Sequence, residues 1–198
     1  MKSQFEIEIN ELEKLSKQGE SYSDGKGRYG WRNPVRKDTG TLLTGFVAAT
    51  KPHKILEIGT GHGLSTLYLA LGFSNLGFGS DFIDTIEFDE PVSKSTTDRM
   101  DRLQAPVKVH LGDAMEILPN LQVQEPYGMV FFDAQKNQYY PQLMTMIMLG
   151  LVGSGTVILA DNVSDRRNEC LDFLNWFLEN NINHHIIETE CGLLVARL

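Results

Sequence analysis

Residues 54–65 read Lys54-Ile55-Leu56-Glu57-Ile58-Gly59-Thr60-Gly61-His62-Gly63-Leu64-Ser65. The first five are a short apolar run of strand length with an acid near its end. From Leu64 to Leu71 the chain reads as a helix, so the three glycines lie where a strand turns directly into a helix. A generic turn of this kind needs one glycine. Three at alternate positions let the backbone turn sharply and let a ligand come close to main-chain N–H groups. The spacing is not the dinucleotide pattern G-x-G-x-x-G, because Leu64 stands where its third glycine belongs. No Gly-Lys-Ser/Thr ending follows, so it is not a P-loop either.

Outward from this turn, strands and helices alternate. Strands are predicted at Phe82–Phe88, Val107–Leu111, Gly128–Phe132 and Thr156–Ala160. Helices are predicted at about Pro91–Leu103, Ala114–Leu118, Gln138–Leu149 and Asp165–Asn180. His185–Glu190 and Leu193–Leu198, joined around Gly192, read as a hairpin-like pair of strands. Strands separated by helices specify an α/β fold, a doubly wound and mostly parallel seven-stranded sheet with an antiparallel C-terminal strand. Upstream, Phe5, Ile9, Leu12 and Leu15 give residues 1–18 one apolar helical stripe, and residues 41–50 are helical again. Gly19–Gly40 between them is rich in glycine and polar residues, with Tyr22, Tyr29 and Trp31 interspersed. Neither repeat nor linker interrupts the chain. The expected organisation is one domain, 1–198, with a helix and lid segment over 1–40 and the binding core over 41–198.

Composition narrows the class. With 41 % hydrophobic and 22 % charged residues the chain has the make-up of a folded protein. A formal charge of −8 disfavours partners recognised by phosphate neutralisation, nucleic acid among them. Two cysteines, Cys170 and Cys191, do not make a disulfide framework and suit a reducing compartment. The N-terminus has no apolar signal core, and the longest apolar run, near Met144–Val152, is too short to cross a bilayer. A cytoplasmic protein without a membrane partner is expected.

In doubly wound sheets ligands bind beyond the carboxyl ends of the strands, at the switch point near the first strand. Glu57 at that end suits a ligand carrying a positive group, such as the ammonium of a methionine moiety. Glu87, at the end of the next strand, stands where a carboxylate accepts hydrogen bonds from ribose hydroxyls. With Gly112-Asp113-Ala114 after the third strand, this pattern resembles the class I S-adenosylmethionine-dependent methyltransferases and their Rossmann-like sheet. The resemblance implies that Glu57, Gly59, Thr60, Gly61 and Gly63 cradle the methionine part and that Ser65 meets its carboxylate. It further implies that Glu87 binds the ribose, that Asp113 and Ala114 border the adenine, and that Asp133 closes the cofactor site.

Two more strand ends carry oxygen donors. Val130-Phe131-Phe132 runs into Asp133-Ala134-Gln135-Lys136-Asn137-Gln138-Tyr139, and Val157–Ala160 runs into Asp161-Asn162. Neighbouring parallel strands bring Asp133, Asp161 and Asn162 to one rim. Three oxygen donors without histidine or cysteine suit a hard cation, Mg²⁺, Ca²⁺ or Mn²⁺. An Asp-Asn pair alone is equally an N-cap; two such sites on adjacent strands, with Lys136 beside them, favour the metal. Asp-x-x-Lys-x-x-Tyr followed by Asp-Asn resembles the metal-dependent O-methyltransferases of the catechol and caffeoyl-coenzyme A group. The similarity runs from Asp38 to Val163, with Gln135 in place of that group's middle acid. The continuation Ser164-Asp-Arg-Arg-Asn-Glu169 departs from it.

The resemblance implies a small catechol-like hydroxyl acceptor bound on the cation, with Asp133 and Lys136 as the catalytic pair. A lysine partly desolvated beside a cation is suited to take the hydroxyl proton. Tyr139 and Tyr140 are expected to pack against the sheet, and Met144, Met146 and Met148 to fill core. The histidines form no metal spacing; His62 is expected to meet the cofactor through its backbone, and His184-His185 to open a strand. Lys26–Lys37, with five basic residues beside Tyr29 and Trp31, is read mainly as a solvated loop. Its lid reading keeps an RNA hydroxyl, such as a tRNA wobble hydroxyuridine, as an alternative acceptor. A non-catalytic S-adenosylmethionine-binding module is the alternative outside enzymes, and a homodimer stays open.

Overall fold

A computed structural model describes residues 3–18, 34–77 and 82–198. In chain order the elements are α1 (Gln4–Gln18), α2 (Lys37–Thr50), β1 (Lys54–Ile58), α3 (Leu64–Ser74), β2 (Phe82–Glu87), α4 (Glu90–Arg102), β3 (Val107–Leu111) and α5 (Ala114–Ile117). They continue with β4 (Met129–Phe132), α6 (Tyr139–Met148), β5 (Val157–Ala160), α7 (Leu171–Glu179), β6 (His184–Ile187) and β7 (Leu193–Arg197). The seven strands form one sheet in the order β3-β2-β1-β4-β5-β7-β6. β1 to β5 pair in parallel, and β7 runs antiparallel between β5 and β6. The expected α/β sheet with its antiparallel C-terminal strand is therefore observed. The strand order reverses between β1 and β4, which places a crevice at their carboxyl ends.

The central strands read as continuous apolar runs because both faces are covered. Met129 and Phe131 of β4 join the cluster built with Leu12 of α1, Leu43 and Val47 of α2 and Leu67 of α3. Val130 and Phe132 join the cluster on the other face with Leu143 of α6 and Phe173 and Phe177 of α7. The apolar stripe of α1 is buried through Phe5, Ile9 and Leu12, as its spacing requires. Among the described residues no helix is long and apolar enough to cross a membrane.

Element starts differ from the sequence reading where distant backbone groups intervene. α2 begins at Lys37 rather than 41, with Asp38 in its first turn accepting the N–H of Glu190 at 2.8 Å. α7 begins at Leu171 rather than Asp165; the N–H groups of Ser164 and Asp165 go to the Cys191 carbonyl, and residues 167–169 form only a short 3₁₀ turn. Another 3₁₀ turn, Lys136–Gln138, precedes α6. β6 starts at His184 and stops at Ile187, after which the chain turns through Thr189. Most of the predicted lid, including Tyr22, Lys26, Arg28, Tyr29, Trp31 and Arg32, lies outside the described residues.

Candidate active site

The crevice at the switch point opens into a cavity of about 950 Å³. Its floor is the glycine turn. Gly59, Gly61 and Gly63 all adopt left-handed φ, at 98°, 51° and 81°. Gly59 also has no room for a side chain: a Cβ there would lie 2.6 Å from the Asp133 carbonyl oxygen. The turn thus crosses directly against the backbone at the end of β4.

Hydrogen bonds hold the turn from both sides. The N–H groups of Gly59 and Thr60 donate to the Ile86 carbonyl, and Gly61 N–H donates to Glu87 Oε2 at 2.7 Å. Glu87 Oε1 accepts the N–H of Asp89, so both carboxylate oxygens are fixed by backbone while keeping lone pairs for a ligand. From α4, Thr96 Oγ1 donates to the Gly61 carbonyl at 3.0 Å and Arg99 to the His62 carbonyl at 2.9 Å. Asp89 caps α4 through the N–H of Val92, and Asp113 caps α5 through that of Met115.

Glu57 lies behind the turn, fully buried and off the cavity wall. Its Oε2 accepts from Thr66 at 2.5 Å and Thr85 at 2.6 Å. Thr85 spends its only proton there, so the 2.6 Å contact between Thr60 and Thr85 has Thr60 as donor. A hydroxyl relay therefore runs from the glycine turn to the buried acid. Burial pushes the Glu57 carboxyl up to about 7; the hydroxyls of Ser65, Thr66 and Thr85 work against that rise and the charge of Glu87 adds to it. Glu57 Oε1 has no hydrogen-bond partner.

On the opposite wall, Lys136 Nζ donates to Asp133 Oδ1 at 3.1 Å and to the Ala134 carbonyl at 2.9 Å. Asp161 follows Ala160, the register partner of Phe132, and its N–H donates to the Phe132 carbonyl; Asp133 and Asp161 are thus brought together at adjoining strand ends. Burial raises the carboxyl pKa of both. At Asp133 the Asp161 charge adds to the rise while Lys136 opposes it. Thr39 Oγ1, at the start of α2, donates to Asp161 Oδ1 at 3.4 Å. The Tyr139 hydroxyl straps the two strand ends by donating to the carbonyls of Phe132 and Asp161 at 3.0 and 3.2 Å. Tyr139 packs as expected, whereas Tyr140 is partly exposed, at 37 %.

Asp133 and Lys136 line the cavity; Asp161, 2 % exposed, and Asn162, 5 % exposed, sit behind them. Among the described residues no three His, Cys, Asp or Glu side chains gather as a metal cluster, so a cation here would rest on two carboxylates and the Asn162 amide. That donor set fits a hard cation. Two buried carboxylates side by side, both resisting ionisation, are stabilised by a positive charge, and the Asn162 amide oxygen supplies a neutral third donor.

Ser65, Glu87, Asp113 and Ala114 also line the cavity. Sequence reasoning missed Thr39, Thr96 and Arg99, whose pairings span distant segments. It also missed Phe88, which lines the cavity with 77 % of its surface exposed, and Gln142 of α6. An apolar residue directly after the Glu87 acid was a readable signal for Phe88. Nothing in the sequence distinguishes Gln142. Cys170 and Cys191 are free thiols, the first buried and the second partly so.

Residues 56–163 match the family model described as a methyltransferase domain. The chain is 32 % identical over 139 residues to catechol O-methyltransferase of Bos taurus, a match covering 67 % of this chain and 49 % of that protein. It is 31 % identical over 134 residues to catechol O-methyltransferase of Sus scrofa, covering 65 % of this chain and 70 % of that one. The chain spans about half the length of the first of these curated relatives. Among solved structures, an O-methyltransferase from Bacillus cereus in complex with SAH superposes with a TM-score of 0.78, covering 100 % of this chain and 92 % of that one at 21 % identity.

Proposed function

The chain belongs to the class I S-adenosylmethionine-dependent O-methyltransferases of the catechol type, and on that premise we propose that it transfers a methyl group from S-adenosylmethionine to a hydroxyl of a small catechol-like acceptor in the cytoplasm, with a divalent cation. The observation that carries the reading is the meeting of the glycine turn with the Asp133 backbone. It sets a cofactor wall and a carboxylate–lysine pair on one cavity.

In this reading the left-handed glycine turn and Ser65 receive the methionine portion, Glu87 accepts from the ribose hydroxyls, and Asp113 and Ala114 border the adenine, to which Phe88 offers an apolar face. Asp133, Asp161 and Asn162 would hold the cation. A bound divalent cation supplies Lewis acidity that lowers the acceptor hydroxyl's pKa and fixes its orientation. Asp133 keeps Lys136 Nζ at the cavity wall. Lys136 takes the hydroxyl proton, the acceptor oxygen bonds to the methyl carbon, and the carbon–sulfur bond breaks to leave S-adenosylhomocysteine. Holding donor and acceptor on one rim supplies much of the rate by proximity. Two free thiols agree with a reducing compartment.

The test is methyl transfer to a panel of catechols with Mg²⁺, with a chelator, and with Mg²⁺ restored. Activity that vanishes with chelator and returns with metal is the expected result. Activity indifferent to chelation overturns the cation part. Methylation of tRNA in preference to every catechol, with steeply salt-dependent binding, moves the acceptor to RNA.

A further inference from the structure

Gln142 is 4 % exposed, yet it belongs to the wall of the cavity, and its Oε1 has no hydrogen-bond partner. An amide buried without a partner is costly, because it has given up water and gained nothing in return. Its neighbours do not supply the missing donor. Asp113 on the cavity wall is a carboxylate that only accepts, and Tyr139, one turn earlier on α6, gives its hydroxyl to the carbonyls of Phe132 and Asp161. α6 packs against α5, so the amide stands on the side of the cavity where Gly112, Asp113 and Ala114 end the third strand. Along that rim, Glu87 is one strand away and Phe88 stands beside it, the positions given above to ribose and to a flat ring.

We infer that Gln142 reads the adenine of the cofactor, its amide oxygen accepting from the 6-amino group while its amide N–H₂ donates to an adjacent ring nitrogen. The inference rests on the cofactor reading under Proposed function and goes further by assigning base specificity to one side chain. A carboxamide presents one acceptor and one donor side by side, and adenine presents the complementary pair at its 6-amino group and neighbouring ring nitrogen. Oε1 is buried as the side chain stands, and a part turn about the last side-chain torsion presents both amide atoms to the cavity, so the pairing needs no backbone movement. The ligand would then satisfy an atom that the protein alone leaves unpaired. This is the arrangement that rejects a ligand lacking the matching group most strongly.

The experiment is a protein-by-ligand cycle read by calorimetry on the full chain. S-adenosylhomocysteine and its purine analogue without the 6-amino group are titrated into the wild-type protein and into Gln142→Leu. The wild type is expected to bind the analogue about 5- to 150-fold more weakly, the range of a good bidentate base contact. Gln142→Leu is expected to bind the two ligands alike. Gln142→Glu keeps an acceptor and should retain part of the preference, which covers the case of a leucine variant that does not fold. An undiminished preference in a folded Gln142→Leu overturns the assignment to Gln142 and leaves the cofactor reading intact. A wild-type chain that binds neither ligand overturns the cofactor reading and this inference with it.

Discussion

The glycine turn and the Asp133–Lys136 wall meet at Gly59, but they are held in different ways. The turn is secured by groups that carry no charge at the point of contact: the Ile86 carbonyl, the Thr96 hydroxyl and the Thr60–Thr85 relay. Glu87 and Arg99 complete the shell. The other wall is a small set of charges in a dry place. Asp133 and Asp161 are pressed together at adjacent strand ends, with Lys136 bonded to one and Thr39 to the other. One wall is shaped before a ligand arrives. The other stores an electrostatic imbalance that a positive charge relieves. On the proposed function, recognition falls to backbone geometry on one side and chemistry to side-chain charge on the other, so substitutions on the two walls should separate binding from turnover.

The sharpest separation should come from Lys136→Ala. Loss of a positioned proton acceptor is expected to lower kcat by about 10²–10⁴-fold while the affinity for S-adenosylhomocysteine, measured by calorimetry, stays as it was. A parallel fall in affinity would erase the division between the walls. Gly59→Ala should do the reverse. The added Cβ meets the Asp133 carbonyl and must take a left-handed φ, a combined cost of about 2–6 kcal/mol, visible as a lowered Tm and lost cofactor binding. A variant that melts and binds like the wild type would show that the close crossing is not a constraint.

Glu57→Gln probes the buried acid behind the glycine turn. The folded-state pKa of Glu57 lies above its usual value, at about 7. Its contribution to stability is therefore full below about pH 4.5 and is lost as pH rises to about 7, on the order of 3 kcal/mol. Tm differences between wild type and variant should shift in favour of the glutamine across that window and stay level above it. A difference independent of pH would mean that the acid does not titrate there. The smallest effect belongs to Thr96→Val, which removes one neutral hydrogen bond to the Gly61 carbonyl. At about 0.5–1.5 kcal/mol, cofactor affinity should weaken by roughly 2- to 10-fold with kcat unchanged.

What was legible beforehand follows the same division. β1 is a buried, mostly apolar run and β3 an edge strand whose valines alternate with Lys108 and His110, so both were readable to the residue, and the acids and glycines at strand ends marked the rim. Pairings between distant segments left no local trace. The segment before α7 is tied to Cys191, whose carbonyl takes the N–H groups of Ser164 and Asp165, and the start of α2 is tied to Glu190. Thr39 looks like any loop threonine until the fold brings it to Asp161. Arg99 and Thr96 read as surface residues of an amphipathic helix, yet they grip the glycine turn. Gln142 sits at a helical position where any core residue would satisfy the periodicity.

The place of β7 has a consequence for how the protein is made. β5 carries Asp161 at its carboxyl end, and β7, which pairs along its open flank, is synthesised some thirty residues later. A nascent chain can therefore assemble β1 to β4 with their glycine turn while β5 is still an exposed edge. During that interval the acid that completes the rim has a neighbour on one side only. A chain not yet extended to Leu193 would therefore leave the flank of β5 beside Asp161 uncovered.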